Sequence, residues 1–174
     1  EKGVEVLINA MPEILKVFPN ALVQFVGTYQ NVIGEEEYFD RLAPEIDKYQ
    51  ASGHWKFLGE LDPEKMATFY PNLDVLTVPS LNSTEAFGLV QIEAMMNGTP
   101  CVTSNLPGVR QPVKIHQMGK IFPIGDSEGL LNGLIGVLKD QENRINRGED
   151  FSRYQPDRIA EAYELLFNEI KQGL

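Results

Sequence analysis

Over residues 2–18 the apolar positions Val4, Leu7, Ile8, Met11, Leu15 and Phe18 recur at helical spacing and give one apolar face. Pro12 inside this stretch lacks an amide hydrogen and is expected to bend the helix or fray its middle turn. Pro19 and Asn20 end it, and residues 21–26 read as a short buried strand closing on Gly27. Residues 35–49 form an acidic amphipathic helix with Tyr38, Leu42, Ile46 and Tyr49 turned inward and Pro44 as a second interior flaw. Ala51-Ser52-Gly53 breaks it, and residues 55–58 are the next strand. Asp62-Pro63-Glu64 opens a helix, because proline is tolerated in a first turn. Residues 74–79, short and rich in β-branched side chains, make the third strand. A helix over 87–97 stops at Gly98, and strands follow at 100–104 and 120–124. Asp126 caps a helix running to about Leu138, and a last helix over 156–171 aligns Ile159, Tyr163, Leu166, Phe167 and Ile170.

Short strands alternating with helices imply an α/β fold: a Rossmann-like parallel sheet with right-handed crossovers and helices on both faces. In such folds ligands bind at the carboxyl ends of the strands. Those ends are Gly27-Thr28-Tyr29, Gly59-Glu60-Leu61, the loop from Ser80 to Glu85, and the loop from Ser104 to Gly108. A length of 174 residues suits a single domain over 1–174. With 15 Lys and Arg against 25 Asp and Glu, the net charge of −10 argues against sequence-independent nucleic-acid binding. No apolar run approaches the roughly 20 residues that span a bilayer. Cys101 is the one cysteine, which excludes a disulfide framework and a cysteine zinc site. His54 and His116 stand without further ligands at metal-binding spacing, so no metal site is expected. Lacking an initiator Met and a signal-peptide pattern, the chain reads as a cytoplasmic fragment.

The chemistry concentrates after the third strand. A polar loop leads to Glu85, which stands just ahead of a helix whose first turn holds Gly88. A glycine there lets a ligand approach unpaired amides, which together with the helix dipole favour a phosphate. Glu93 follows about six residues into the helix, roughly 9 Å along at 1.5 Å per residue. Carboxylates repel phosphate but accept hydrogen bonds from hydroxyl groups. Phosphate in the centre with a polyol at either side describes a nucleotide sugar.

Glu85 and Glu93, within Glu85-Ala86-Phe87-Gly88-Leu89-Val90-Gln91-Ile92-Glu93-Ala94-Met95, resemble the Glu-x7-Glu signature of retaining GT-B glycosyltransferases. Lys2-Gly3-Val4 resembles that family's Lys-Gly at the opening of its first helix, and Gly98-Thr99-Pro100-Cys101-Val102 is similar to its Gly-x-Pro-Val-Val. The resemblance implies that the chain is the C-terminal, donor-binding half of a GT-B enzyme, facing an N-terminal acceptor domain. It implies that Glu85 faces the donor sugar, that the amides of Phe87, Gly88 and Leu89 line the sugar and diphosphate, and that Glu93 binds the ribose. Lys2 would neutralise the diphosphate leaving group, and the base would lie near residues 58–61, with Gly27, Gly59 and Leu61 in the donor site. By the same resemblance the donor would be of the UDP- or GDP-sugar type, no separate cofactor would be required, and any membrane association would be peripheral, through the other domain.

The family's Gly-x-Gly after its second strand is here Gly27-Thr28-Tyr29, with a bulky residue where the backbone usually meets the ligand. Its Gly-Gly is Pro107-Gly108, and the central strand expected ahead of Lys2 is absent. A GT-B epimerase or phosphorylase and a non-catalytic nucleotide-sugar-binding module are the alternatives. A dinucleotide oxidoreductase would need Gly-x-Gly-x-x-Gly between the first strand and helix, which the sequence lacks.

Overall fold

The runs read as strands pair in parallel, and the periodic stretches between them coil into helices. The computed structural model describes residues 1–29, 32–140 and 151–173. Its strands are β1 (Val23–Val26), β2 (Trp55–Gly59), β3 (Leu76–Val78), β4 (Cys101–Ser104) and β5 (Gly119–Phe122). Its helices are α1 (Val4–Val17), α2 (Glu36–Ala51), α3 (Pro63–Phe69), α4 (Leu89–Met96), α5 (Gln111–His116), α6 (Ser127–Lys139) and α7 (Pro156–Gln172). Short 3₁₀ turns cover Tyr70–Asn72 and Ser152–Tyr154.

The strands form two ladders rather than one continuous sheet. β1 pairs with β2, Val23 opposite Trp55; β4 lies between β3 and β5, Cys101 opposite both Leu76 and Gly119. Among the described strands β1 pairs only with β2, and β3 only with β4. The Leu81 amide donates to the Glu1 carbonyl at 2.9 Å, so the first residue already runs beside the end of β3. Every residue of β4 is buried, which explains its unbroken apolar and hydroxyl run without polar alternation.

One core gathers Val6, Leu7, Met11 and Ile14 of α1 with Leu42 and Ile46 of α2, Leu130 and Leu134 of α6, and Trp55, Val102 and Phe122 from the strands. A second gathers Ala94 and Met95 of α4 with Tyr70, Cys101, Val113 and Met118. Burial pushes the Cys101 thiol above its ordinary pKa, as suits a small apolar side chain in the core. The expected caps are present: the Asp62 carboxylate accepts from the Lys65 amide at 2.8 Å, and that of Asp126 from the Gly129 amide at 2.9 Å.

Three expectations are corrected. Helices α1 and α2 show no frayed turn at Pro12 or Pro44, which stand at exposed positions while buried neighbours bind each helix to the core on both sides. Helix α4 begins at Leu89 rather than 87, because Gly88 ahead of it is left-handed. Helix α5 was not anticipated; six residues carrying Pro112 are too short to show a period. The apolar residues of α7 are exposed, Tyr163, Leu166, Phe167 and Ile170 among them. Among the described residues no helix is long and apolar enough to cross a membrane.

The contrast between α1 and α7 gives a prediction for the 174-residue chain. Met11 is 0% exposed, so Met11→Ala costs about 2–5 kcal/mol in chemical denaturation. Leu166→Ala, on the uncovered helix, stays within about 0.5 kcal/mol of the parent. A Met11→Ala loss no larger than that of Leu166→Ala would contradict this assignment of the core.

Candidate functional site

The chain's first residues and the loop after β3 meet at one point. Gly3 adopts φ +68, and a Cβ built on it would lie 2.0 Å from the Pro79 carbonyl oxygen. A glycine is what lets the backbone close down there. That approach brings Lys2 to Glu85, its ammonium 2.6 Å from the carboxylate, across 83 residues of sequence. The side chains are 70% and 20% exposed, so Glu85 lies in a recess while Lys2 reaches in from solvent. The loop between them is ordered locally: Asn82 Oδ1 accepts from the Thr84 amide and hydroxyl, and Thr84 Oγ1 lies 3.0 Å from a Glu1 carboxylate oxygen.

Glu85 leads to Gly88, which takes φ +78 at the start of α4 and whose carbonyl accepts the Gln91 amide. A Cβ on Gly88 would meet Gln91 Nε2 at 2.6 Å. Ahead of the Gln91 amide, those of Leu89 and Val90 lie too early in α4 to have an intrahelical partner, and they follow directly on this glycine. Phe87 is half-buried, whereas Leu89 is 66% exposed.

The loop after β4 is locked onto this junction. A Cβ on Gly108 would lie 1.7 Å from the Ala86 carbonyl oxygen. Gln91, fully buried, donates from Nε2 to the carbonyls of Val109 at 2.8 Å and Phe87 at 3.4 Å. Gly108 therefore serves loop-to-loop packing. Gln91 was missed from sequence, where its signal was a single amide in an otherwise apolar stretch of α4.

Glu93 stands one turn further along α4. It is exposed, not buried, and Oε2 accepts a 2.6 Å hydrogen bond from the Tyr70 hydroxyl. Burial and this carboxylate raise the Tyr70 pKa and keep the phenol protonated. Tyr70 was also missed, because a contact across 23 residues leaves no trace in periodicity.

The remaining candidates sit on the other ladder. The Gly27 amide donates to the Gly59 carbonyl at 2.9 Å, and the Thr28 hydroxyl to Glu60 at 2.5 Å, joining the loops after β1 and β2. Nothing lies within 4 Å of a Cβ built on Gly27 or on Gly59. Tyr29, the bulky departure from Gly-x-Gly, lies flat on Phe57 with ring centroids 3.8 Å apart and planes 8° apart. Its ring is thereby held against the aromatic cluster, and Gly27 stays open. Leu61 is half-buried just ahead of α3. Lys2, Glu85, Phe87, Gly88, Leu89 and Glu93 thus gather around β3 and α4, and Gly27, Gly59 and Leu61 at the carboxyl end of the β1–β2 ladder.

A pocket of about 380 Å³ lies between Pro71–Asp74 and Asn97–Pro100. Its lining residues precede β3 and β4, and none of the candidate residues is among them, although Asn97 of its lining donates to the Glu93 carbonyl at 2.8 Å. Among the described residues no group of three or more His, Cys, Asp or Glu is placed to hold a metal ion.

Comparison with known proteins identifies relatives of this chain. A phosphatidyl-myo-inositol mannosyltransferase of Mycolicibacterium smegmatis is 33% identical over 143 residues, covering 82% of this chain and 34% of that protein. The chain thus spans about a third of the length of such relatives. The crystal structure of Anabaena HepE in complex with UDP and glucose matches with a TM-score of 0.69 at 26% identity, over 82% of this chain and 37% of that one. Sucrose-phosphate synthase of Thermosynechococcus elongatus matches with a TM-score of 0.73 at 27% identity, over 99% of this chain and 43% of that one. The family model for glycosyl transferases group 1 matches residues 1–158, a span that holds every candidate residue, and the chain belongs to that family.

Proposed function

We propose that the chain is the donor-binding half of a retaining glycosyltransferase that moves a sugar from a UDP- or GDP-sugar to an acceptor held by a second domain. The observation that carries this reading is the Lys2–Glu85 ion pair beside Gly88 and the amino end of α4. It sets one cation, one carboxylate and unpaired amides at a single spot. The diphosphate takes the amides and the helix dipole. The sugar lies toward Glu85, whose carboxylate accepts from its hydroxyls, and the ribose toward Glu93. The UDP and glucose held by HepE support a donor of this type.

The ion pair gives Lys2 and Glu85 two states. With no donor bound they neutralise each other, and at 70% exposure of Lys2 such a pair contributes only about 0–1 kcal/mol. A donor separates them at little cost: the diphosphate draws the ammonium, and the sugar hydroxyls take the carboxylate. As the bond between sugar and diphosphate breaks, negative charge grows on the leaving oxygen and Lys2 stabilises it. The acceptor and the rest of the catalytic groups belong to the part of the protein that faces this cleft. Proximity of two bound substrates supplies much of the barrier reduction, so the 174-residue chain by itself transfers no sugar. Turnover by the purified chain would contradict that division of labour.

Two substitutions in the whole protein separate the glutamates. Glu93→Gln weakens binding of the free nucleoside diphosphate by about 1.5–3 kcal/mol, the value of a charge-assisted hydrogen bond, as read by calorimetry. Unchanged affinity removes Glu93 from the ribose. Glu85→Ala leaves that affinity nearly unchanged and lowers kcat, since sugar contacts strengthen in the transition state. A merely helix-stabilising Glu85 gives the opposite pattern: normal kcat, with stability lower by about 0.3–1 kcal/mol.

A further inference from the structure

Glu93 is an exposed carboxylate on a helix surface, and such a side chain ordinarily samples several rotamers. Here it does not stand alone. Tyr70 is 3% exposed, in one core cluster with Ala94, Met95 and Cys101, and its ring centroid lies 6.0 Å from that of Phe69. Its backbone is fixed as well, because the buried hydroxyl of Thr99 donates to the Tyr70 carbonyl at 2.6 Å. A buried ring thus carries its hydroxyl to one oxygen of Glu93, at 2.6 Å. The helix end of the same residue is tied down by Asn97, whose amide donates to the Glu93 carbonyl at 2.8 Å.

We propose that Tyr70 is a positioning residue for the donor: it holds Oε2 of Glu93 so that Oε1 faces the vicinal hydroxyls of the ribose in one fixed orientation. The proposal rests on the assignment of Glu93 to the ribose. A phenol suits this task because it donates one hydrogen bond, carries no charge and stays protonated beside the carboxylate, leaving the negative charge of Glu93 intact as an acceptor. The ordering of the carboxylate is achieved in the folded protein and not at the moment of binding, which is the gain that preorganisation gives. Tyr70 touches no reacting atom, so its effect is on donor affinity and KM and not on the chemical step.

The test measures binding of UDP and GDP, using whichever binds more tightly, to the whole protein and to Tyr70→Phe, Glu93→Gln and the double variant. Inorganic pyrophosphate, which has no ribose, serves as the control ligand. Tyr70→Phe keeps the buried ring and removes only the hydroxyl. Its expected effect is about a tenfold loss of nucleotide affinity, with pyrophosphate affinity unchanged and no further loss when it is added to Glu93→Gln. Nucleotide affinity equal to the parent's in Tyr70→Phe, with a loss in Glu93→Gln, overturns the role of Tyr70 and leaves the ribose assignment standing. Equal affinity in Glu93→Gln overturns both. A tenfold loss that persists in the double variant, or that extends to pyrophosphate, overturns the proposal by showing that Tyr70 acts through the fold.

Discussion

The arrangement at the carboxyl end of β3 depends on backbone packed against backbone without an intervening Cβ. Gly3 closes on the Pro79 carbonyl and Gly108 on that of Ala86, so three segments far apart in sequence share one junction. Any side chain at either glycine would drive them apart by more than an ångström, enough to part Lys2 from Glu85 or to tilt α4. Gln91 completes the lock from within, joining the Phe87 and Val109 carbonyls through one buried amide. The site is rigid where its loops touch and open where the side chains of Lys2, Leu89 and Glu93 reach solvent.

Under the proposed function, this division matches what each part would have to do. Amides that receive a phosphate act best when fixed in advance, because they need no reorganisation as charge develops. Charged side chains must exchange one partner for another as ligands come and go. An exposed ion pair such as Lys2–Glu85 is weak enough to be exchanged, whereas the Tyr70–Glu93 bond is made by a buried ring. The second ladder follows the same logic. Thr28 and Glu60 join the loops after β1 and β2, and Tyr29 packs on Phe57, while both glycines at the strand ends stay uncovered.

Much of this was legible in the sequence, because local chemistry decides it. Strand positions followed from short β-branched runs, and the starts of α3 and α6 from Asp62 and Asp126, whose side chains cap in place. Lys2, Glu85 and Gly88 were legible from their motif, and the structure brings them together. Contacts that depend on tertiary packing were not legible. Tyr70 reads as one more aromatic before a proline, and only the fold turns its hydroxyl to Glu93. Pro12 signalled a bend or a frayed turn and Pro44 an interior flaw, yet both helices are continuous there, with Met11, Ile14, Leu42 and Ile46 buried on either side. The sheet divides into two ladders because no described strand pairs with both β1 and β3, a matter of pairing rather than of propensity.

The central claim is that a nucleotide sugar lies across the amino end of α4, with its sugar toward Glu85 and its ribose toward Glu93. Crystals of the whole protein grown with the UDP- or GDP-sugar that most raises its melting temperature test this directly. The account predicts diphosphate density within hydrogen-bond reach of the first-turn amides after Gly88, ribose hydroxyls at Glu93, and the Lys2–Glu85 pair separated. Nucleotide density elsewhere, such as in the pocket between Pro71 and Pro100, with Lys2 still paired to Glu85, would contradict it.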